Sequence, residues 1–339
     1  MTEPDPTATA PHGDDHQPPP VLGVDEIAER GRQVLDEVHR HVVGLREVST
    51  LALATVLAGG HVLFEDLPGL GKTMLCKAMS GALGLDFRRI QGTPDLMPSD
   101  ITGSSIFDPA KREFEFHAGP VFTGMLLADE INRTSPKTQS ALLEAMAEKQ
   151  VTVEGHTRPL PRPFHVFATS NPVEFEGTYP LPEAQLDRFM VRLSMGYPTH
   201  LNEQAIVQGR LDRKAEEFAP QEVMTADDLL AAQRGVEAVQ VDVDIIDYAT
   251  RFVDASRHHD GVEIGGSPRA TLALVLVGRA MAVLDGRTFV LPDDIKQVLP
   301  SVMAHRMILT AEAWAQGLTT AGVTEDLLSS VVAPQATRF

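Results

Sequence analysis

A single cysteine, Cys76, stands in the 339 residues, so no intrachain disulfide can form and the fold must be held by packing, as suits a reducing compartment. No apolar run reaches the roughly 20 residues that a membrane-spanning helix needs. The longest, Leu51 to Phe64, is interrupted by Thr55 and His61. The N-terminus has no basic segment leading into an apolar one, so no secretory signal is expected and the cytoplasm is the expected location. Positive charge is scarce. Against 47 acidic residues stand 29 lysines and arginines, a net charge of −18, which would repel a phosphate backbone and disfavours nucleic acid as a partner. Neither an internal repeat nor coiled-coil heptads occur. No HExxH element or Cys/His cluster is present to build a dedicated metal site.

What the chain does have is enough apolar material, 43%, to bury the cores of about two domains. Residues 1–20 mix proline, acids and small polar side chains with almost nothing to bury, the composition of a disordered tail, which we place over 1–22. From Val24 to about Leu57, apolar residues recur at helical spacing, with Ile27, Val34, Val38, Val42 and Val43 on the buried face. His61 to Phe64 reads as a short buried strand, followed by a glycine-rich turn and a helix from about Lys72. That order, strand, loop, helix, belongs to a doubly wound α/β sheet. Further strands are expected at Gly124 to Ala128 and His165 to Thr169, with a helix Ser135 to Lys149 and a hairpin arm from Gln150 between them. After Tyr197-Pro198 the pattern predicts helices only, over 201–218, 225–236, 244–256, 268–284, 292–304 and 311–316, a separate bundle.

Five segments carry chemistry. In Glu65-Asp66-Leu67-Pro68-Gly69-Leu70-Gly71-Lys72-Thr73 the glycines let backbone N–H groups curl around phosphates, Lys72 adds a point charge and the Thr73 hydroxyl can ligate Mg²⁺. The helix behind it directs its positive end at the anion. Asp66 departs from the strict pattern, which has glycine there. Met125-Leu126-Leu127-Ala128-Asp129-Glu130 is an apolar strand ending in two acids that can divide the labour: Asp129 holds the metal and Glu130 polarises the attacking water. Ala168-Thr169-Ser170-Asn171-Pro172 offers the Asn171 amide to a γ-phosphate, although an asparagine before proline can equally be a turn. Arg188, within Leu181 to Phe189, and Arg269, within Gly265 to Arg269, are cations that singly read as surface ion pairs.

In this order the five segments resemble Walker A, Walker B, sensor 1, arginine finger and sensor 2 of the AAA+ ATPases, a P-loop NTPase sheet followed by an all-α lid. The resemblance is closest to the MoxR family and runs from Val43-Gly44 to His305-Arg306. It is carried by Asp129 to Arg133, Leu142 to Met146, Leu181 to Phe189, Ser267 to Ala270 and Leu291 to Ile295. It implies a nucleotide-binding core over 23–198 and a lid over 199–339. The cofactors implied are ATP and Mg²⁺. Pro68, Gly69, Leu70, Gly71, Lys72, Thr73 and Met74 would cradle the nucleotide, Thr73 and Asp129 would hold Mg²⁺, and Val43 and Gly44 would lie near the adenine. Glu130 would be the catalytic base and Asn171 sensor 1. Arg188 would reach into a neighbour's site, which requires an oligomer, in this family a hexameric ring, and Arg269 would signal loss of the γ-phosphate to the lid. Residues 103–119 resemble the helix-2 insertion and 150–163 the hairpin before sensor 1. The implied role is chaperone-like remodelling of a protein client with a partner bearing a von Willebrand factor A domain. A nucleic-acid-remodelling motor and a nucleotide-locked scaffold are the competing classes.

Overall fold

The computed structural model describes residues 20–171, 178–215 and 218–334; the expected N-terminal tail lies outside them up to residue 19. Two helices, α1 (Val24–His41) and α2 (Arg46–Leu57), lead into β1 (Val62–Glu65), α3 (Lys72–Ala82), β2 (Phe87–Gln91) and α4 (Pro98–Thr102). A hairpin of β3 (Gly103–Asp108) and β4 (Glu113–Ala118) comes next, then β5 (Met125–Asp129) and α5 (Pro136–Glu148). A second hairpin, β6 (Gln150–Val153) and β7 (His156–Pro159), precedes β8 (His165–Ser170), α6 (Glu183–Leu186) and β9 (Val191–Leu193). The rest comprises α7 (His200–Arg213), α8 (Ala226–Glu237), α9 (Val243–Arg257), β10 (Val262–Ile264), α10 (Pro268–Leu284) and α11 (Pro292–Met303). It closes with β11 (Ile308–Leu309), α12 (Ala311–Ala315) and α13 (Thr320–Ser330).

Strands β2, β5, β8, β1 and β9 form one parallel sheet in that order. Because side chains alternate across a strand, the apolar runs feed two cores at once. Val62, Phe64, Met125, Leu127 and Phe167 point into one core, shared with α1, α2 and α3. Leu63, Leu126, Ala128, Val166 and Ala168 point into the other, under α4 and α5. Helices thus cover both faces, as the doubly wound reading expects. The helices from α8 onward extend the first core without a break: Leu229, Tyr248, Phe252, Leu274 and Leu299 belong to it. Start signals are local. Ser135 accepts the Thr138 N–H ahead of α5, Ser267 accepts the Arg269 N–H ahead of α10, and a proline follows each.

Two expectations need correction. Residues 24–57 are two helices, not one. Val42 is already extended and Gly44 takes φ +80°, a left-handed turn that breaks the rod while the apolar period continues on both sides. Nor is the C-terminal part purely helical, since β10 and β11 pair antiparallel. Strands of three and two residues are too short for alternation to show. No helix among the described residues is long and apolar enough to cross a membrane.

Candidate functional site

The parallel register brings the C-terminal ends of the strands level: Glu65 lies beside Ser170, and Gln91 beside Asp129. Ligands of open α/β sheets gather at that edge. Here β1 turns through residues 66–71 into α3, with Gly69 at φ +83° and Gly71 at φ +93°. Open space surrounds both glycines, so the left-handed backbone itself, rather than crowding, selects them. Gly71 caps α3 without a side chain, which leaves the first amides of the helix directed into a cavity of about 310 Å³. Pro68, Leu70, Thr73 and Met74 line it together with the glycines and Lys72.

Lys72 is buried, and its Nζ donates to the Asp66 carbonyl at 2.8 Å. Burial lowers its pKa, against the opposing pull of Asp66, Asp129 and Glu130. Asp66 explains its own departure from glycine. Its carboxylate accepts the Ser194 hydroxyl at 3.0 Å and the Met195 N–H, tying the loop to the segment that follows β9.

Asp129, Glu130 and Asn171 line the same cavity. Thr169, unforeseen in the sequence, organises the acids: its hydroxyl donates to Asp129 Oδ1 at 2.6 Å and accepts the Glu130 N–H at 2.8 Å. Glu130 sits in the left-handed region at φ 55°, a conformation uncommon outside glycine, and this turn swings its side chain back over the sheet edge. Its Oε2 accepts Gln91 Nε2 at 3.0 Å and an Arg133 guanidinium N–H at 3.1 Å. Arg89 bonds Asp129 Oδ2 at 2.6 Å and Gln91 Oε1 at 2.7 Å. Arg89 and Gln91 were missed because β2 was missed. Its sequence, Phe-Arg-Arg-Ile-Gln, belongs to an edge strand and has one buried residue.

The donor set fits a magnesium–polyphosphate ligand. The Thr73 hydroxyl and the Asp129 carboxylate are hard oxygen donors, and free helix amides stand beside a buried ammonium. Other sequence candidates lie elsewhere. Val43 and Gly44 form the break between α1 and α2, where a Cβ on Gly44 would meet Asn202 Nδ2 at 2.2 Å. Arg188 and Arg269 share a second cavity of about 280 Å³ with Gly59, Gly60 and His61, at the opposite, N-terminal end of β1. Asp187, beside them, is committed: Arg306 Nε donates to it at 2.7 Å and the Ser267 hydroxyl at 2.9 Å. Arg188 Nε is buried without a hydrogen-bond partner, and neither arginine forms an ion pair among the described residues.

Comparison with known proteins agrees with this fold. A family model described as "ATPase family associated with various cellular activities (AAA)" matches residues 61–191, and an AAA lid-domain model matches 254–327. YeaC of Bacillus subtilis is 47% identical over 89% of this chain and 94% of its own length. Chaperone MoxR1 of Mycobacterium tuberculosis is 38% identical, covering 94% of this chain and 87% of the relative. The crystal structure of a Cytophaga hutchinsonii protein designated an ATPase superimposes with a TM-score of 0.86 at 39% identity, over 92% of this chain and 97% of that one.

Proposed function

Since this chain belongs to the MoxR family of AAA+ ATPases, we propose that it cleaves ATP at the seam between copies of a hexameric ring and thereby remodels a protein client. The observation that carries this reading is the placement of Arg188 and Arg269. They lie at one end of β1 and the phosphate loop at the other, separated by the four residues of the strand, roughly 13 Å at about 3.3 Å per residue. No side-chain motion within one copy joins them. A neighbour that presents its arginine cavity to this phosphate cavity completes the site.

Each residue then has a task. The amides of the 66–71 loop and Lys72 bind the triphosphate, while Thr73 and Asp129 hold the cation. Bound Mg²⁺ would neutralise charge on the phosphate oxygens. Glu130 positions and deprotonates the attacking water, and Asn171 contacts the γ-phosphate. Arg188 from the adjoining copy stabilises the charge of the transition state, a contribution on the order of 10³ or more in turnover. Hydrolysis thereby depends on how copies pack, and packing on the state of the nucleotide. The lid, attached through Asp187 and the start of α10, transmits that state to the hairpins β3–β4 and β6–β7, where a client is worked on. A partner bearing a von Willebrand factor A domain and a cytoplasmic location complete the proposal.

Mixed assemblies test it. Lys72→Ala and Arg188→Ala are each expected to lose turnover, the first for want of a working pocket, the second for want of the trans arginine. When they are combined at equal ratio, about a quarter of random seams pair an intact pocket with an intact Arg188, so activity partly returns. Failure of the mixture to recover, or full turnover by Arg188→Ala alone, defeats the reading.

A further inference from the structure

Arg89 belongs to the phosphate cavity yet has no part in the chemistry above. It stands opposite Leu127 in the β2–β5 ladder, on the same face as Asp129 two residues on, so its guanidinium reaches the Asp129 carboxylate diagonally. Both Asp129 oxygens are thereby engaged, Oδ1 by the Thr169 hydroxyl and Oδ2 by a positive charge at 2.6 Å. The cavity wall bears three carboxylates, Asp66, Asp129 and Glu130, against Lys72 and Arg89. Arg89 therefore supplies charge that the acids would otherwise need from a cation in solution.

A divalent cation on Asp129 and a guanidinium 2.6 Å from the same carboxylate repel each other, so one must yield. We propose that Arg89 is a resident counter-ion of Asp129 that makes the site refuse bare Mg²⁺ and accept it together with polyphosphate. This rests on the reading of Asp129 as the cation's ligand. The physical reason lies in where the guanidinium goes once displaced. Without nucleotide it loses its carboxylate and gains only water. With nucleotide it faces phosphate oxygens, which its planar fork of N–H donors suits. Displacement is thus unfavourable for the metal alone and offset when the phosphates are present, so cation and nucleotide reinforce each other's binding. Arg89 is a positioning residue in this scheme, and it sets the order and cooperativity of loading.

Binding measurements separate this from a structural role. Mn²⁺ is the probe, followed by paramagnetic resonance on the full chain, with and without a non-hydrolysable ATP analogue. Wild-type protein should bind bare Mn²⁺ weakly and gain strongly from the analogue. Arg89→Met and Arg89→Gln should both bind bare Mn²⁺ about threefold to fivefold more tightly, the size of a partly exposed charge pair, and gain less from the analogue. Unchanged or weaker binding of bare Mn²⁺ in both variants, with Asp129→Ala having lost it, overturns the role of Arg89 while leaving Asp129 as the ligand. If Asp129→Ala binds the ion as wild type does, the reading of the cation site itself is wrong.

Discussion

Asp66 occupies a place that glycine fills in the strict phosphate-loop pattern, and the structure turns that exception into a tether. Its buried carboxylate satisfies the Met195 N–H and the Ser194 hydroxyl. Restoring glycine would leave both donors unpaired, at a cost of about 1–3 kcal/mol. Asp66→Gly is therefore expected to unfold at lower urea concentration and to bind nucleotide more weakly, whereas Asp66→Asn, which keeps one acceptor, recovers part of the loss. Equal stability of the glycine variant and wild type would refute the tether. The loop was legible in the sequence because backbone requirements leave a residue signature: Gly69 and Gly71 need positive φ. The tether was not, since Asp66 and Met195 are 129 positions apart and nothing local announces their meeting.

At the scale of elements, β2 is where the sequence was least informative and the site most dependent. An edge strand carrying Arg88 and Arg89 shows neither an apolar run nor a clean alternation, and with it went Arg89, Gln91 and Gly92. The interior strands β1, β5 and β8, each built on a run of buried apolar residues, were readable to within a residue or two. Gly92 shows what the edge strand does. Its N–H donates to the Asp129 carbonyl at 2.6 Å, and a Cβ there would lie 2.1 Å from the Glu130 carbonyl oxygen. Backbone, not a pliable side chain, would have to move. Gly92→Ala should displace Asp129 and Glu130 and lower turnover about tenfold to a hundredfold, with the secondary structure retained by circular dichroism. Turnover within a factor of two of wild type would show that the strand ends are not held in this spacing.

Across the whole molecule, sheet and helical layers are joined by buried imidazoles. His165 bonds the Gly60 carbonyl at 2.9 Å and meets Gln233 of α8 at 3.2 Å, while His61 accepts the Val166 N–H at 2.9 Å. Burial drives their pKa values down from 6.5, to about 3 for His61 and about 4 for His165, with Lys149 acting in the same direction on both. Both are neutral in the folded protein at pH 7. As pH falls below 6.5 the unfolded chain takes up protons that the folded one refuses, so stability is lost on the acid side. The loss amounts to at most about 1.4 kcal/mol per pH unit for each histidine until the folded pKa is reached. Urea denaturation between pH 7 and pH 5 should show that decline, and His165→Gln should flatten it. Identical slopes would deny the imidazole its part.

On the trans reading proposed above, the separation of the arginine cavity from the phosphate loop would give each molecule a giving edge and a receiving edge. Strung in an open row, copies would then strand one pocket at one terminus and one arginine pair at the other. Under the proposed trans arrangement closure alone would serve every pocket, and a single copy damaged at both Lys72 and Arg188 would disable two catalytic centres: its own and the one its arginine should have finished.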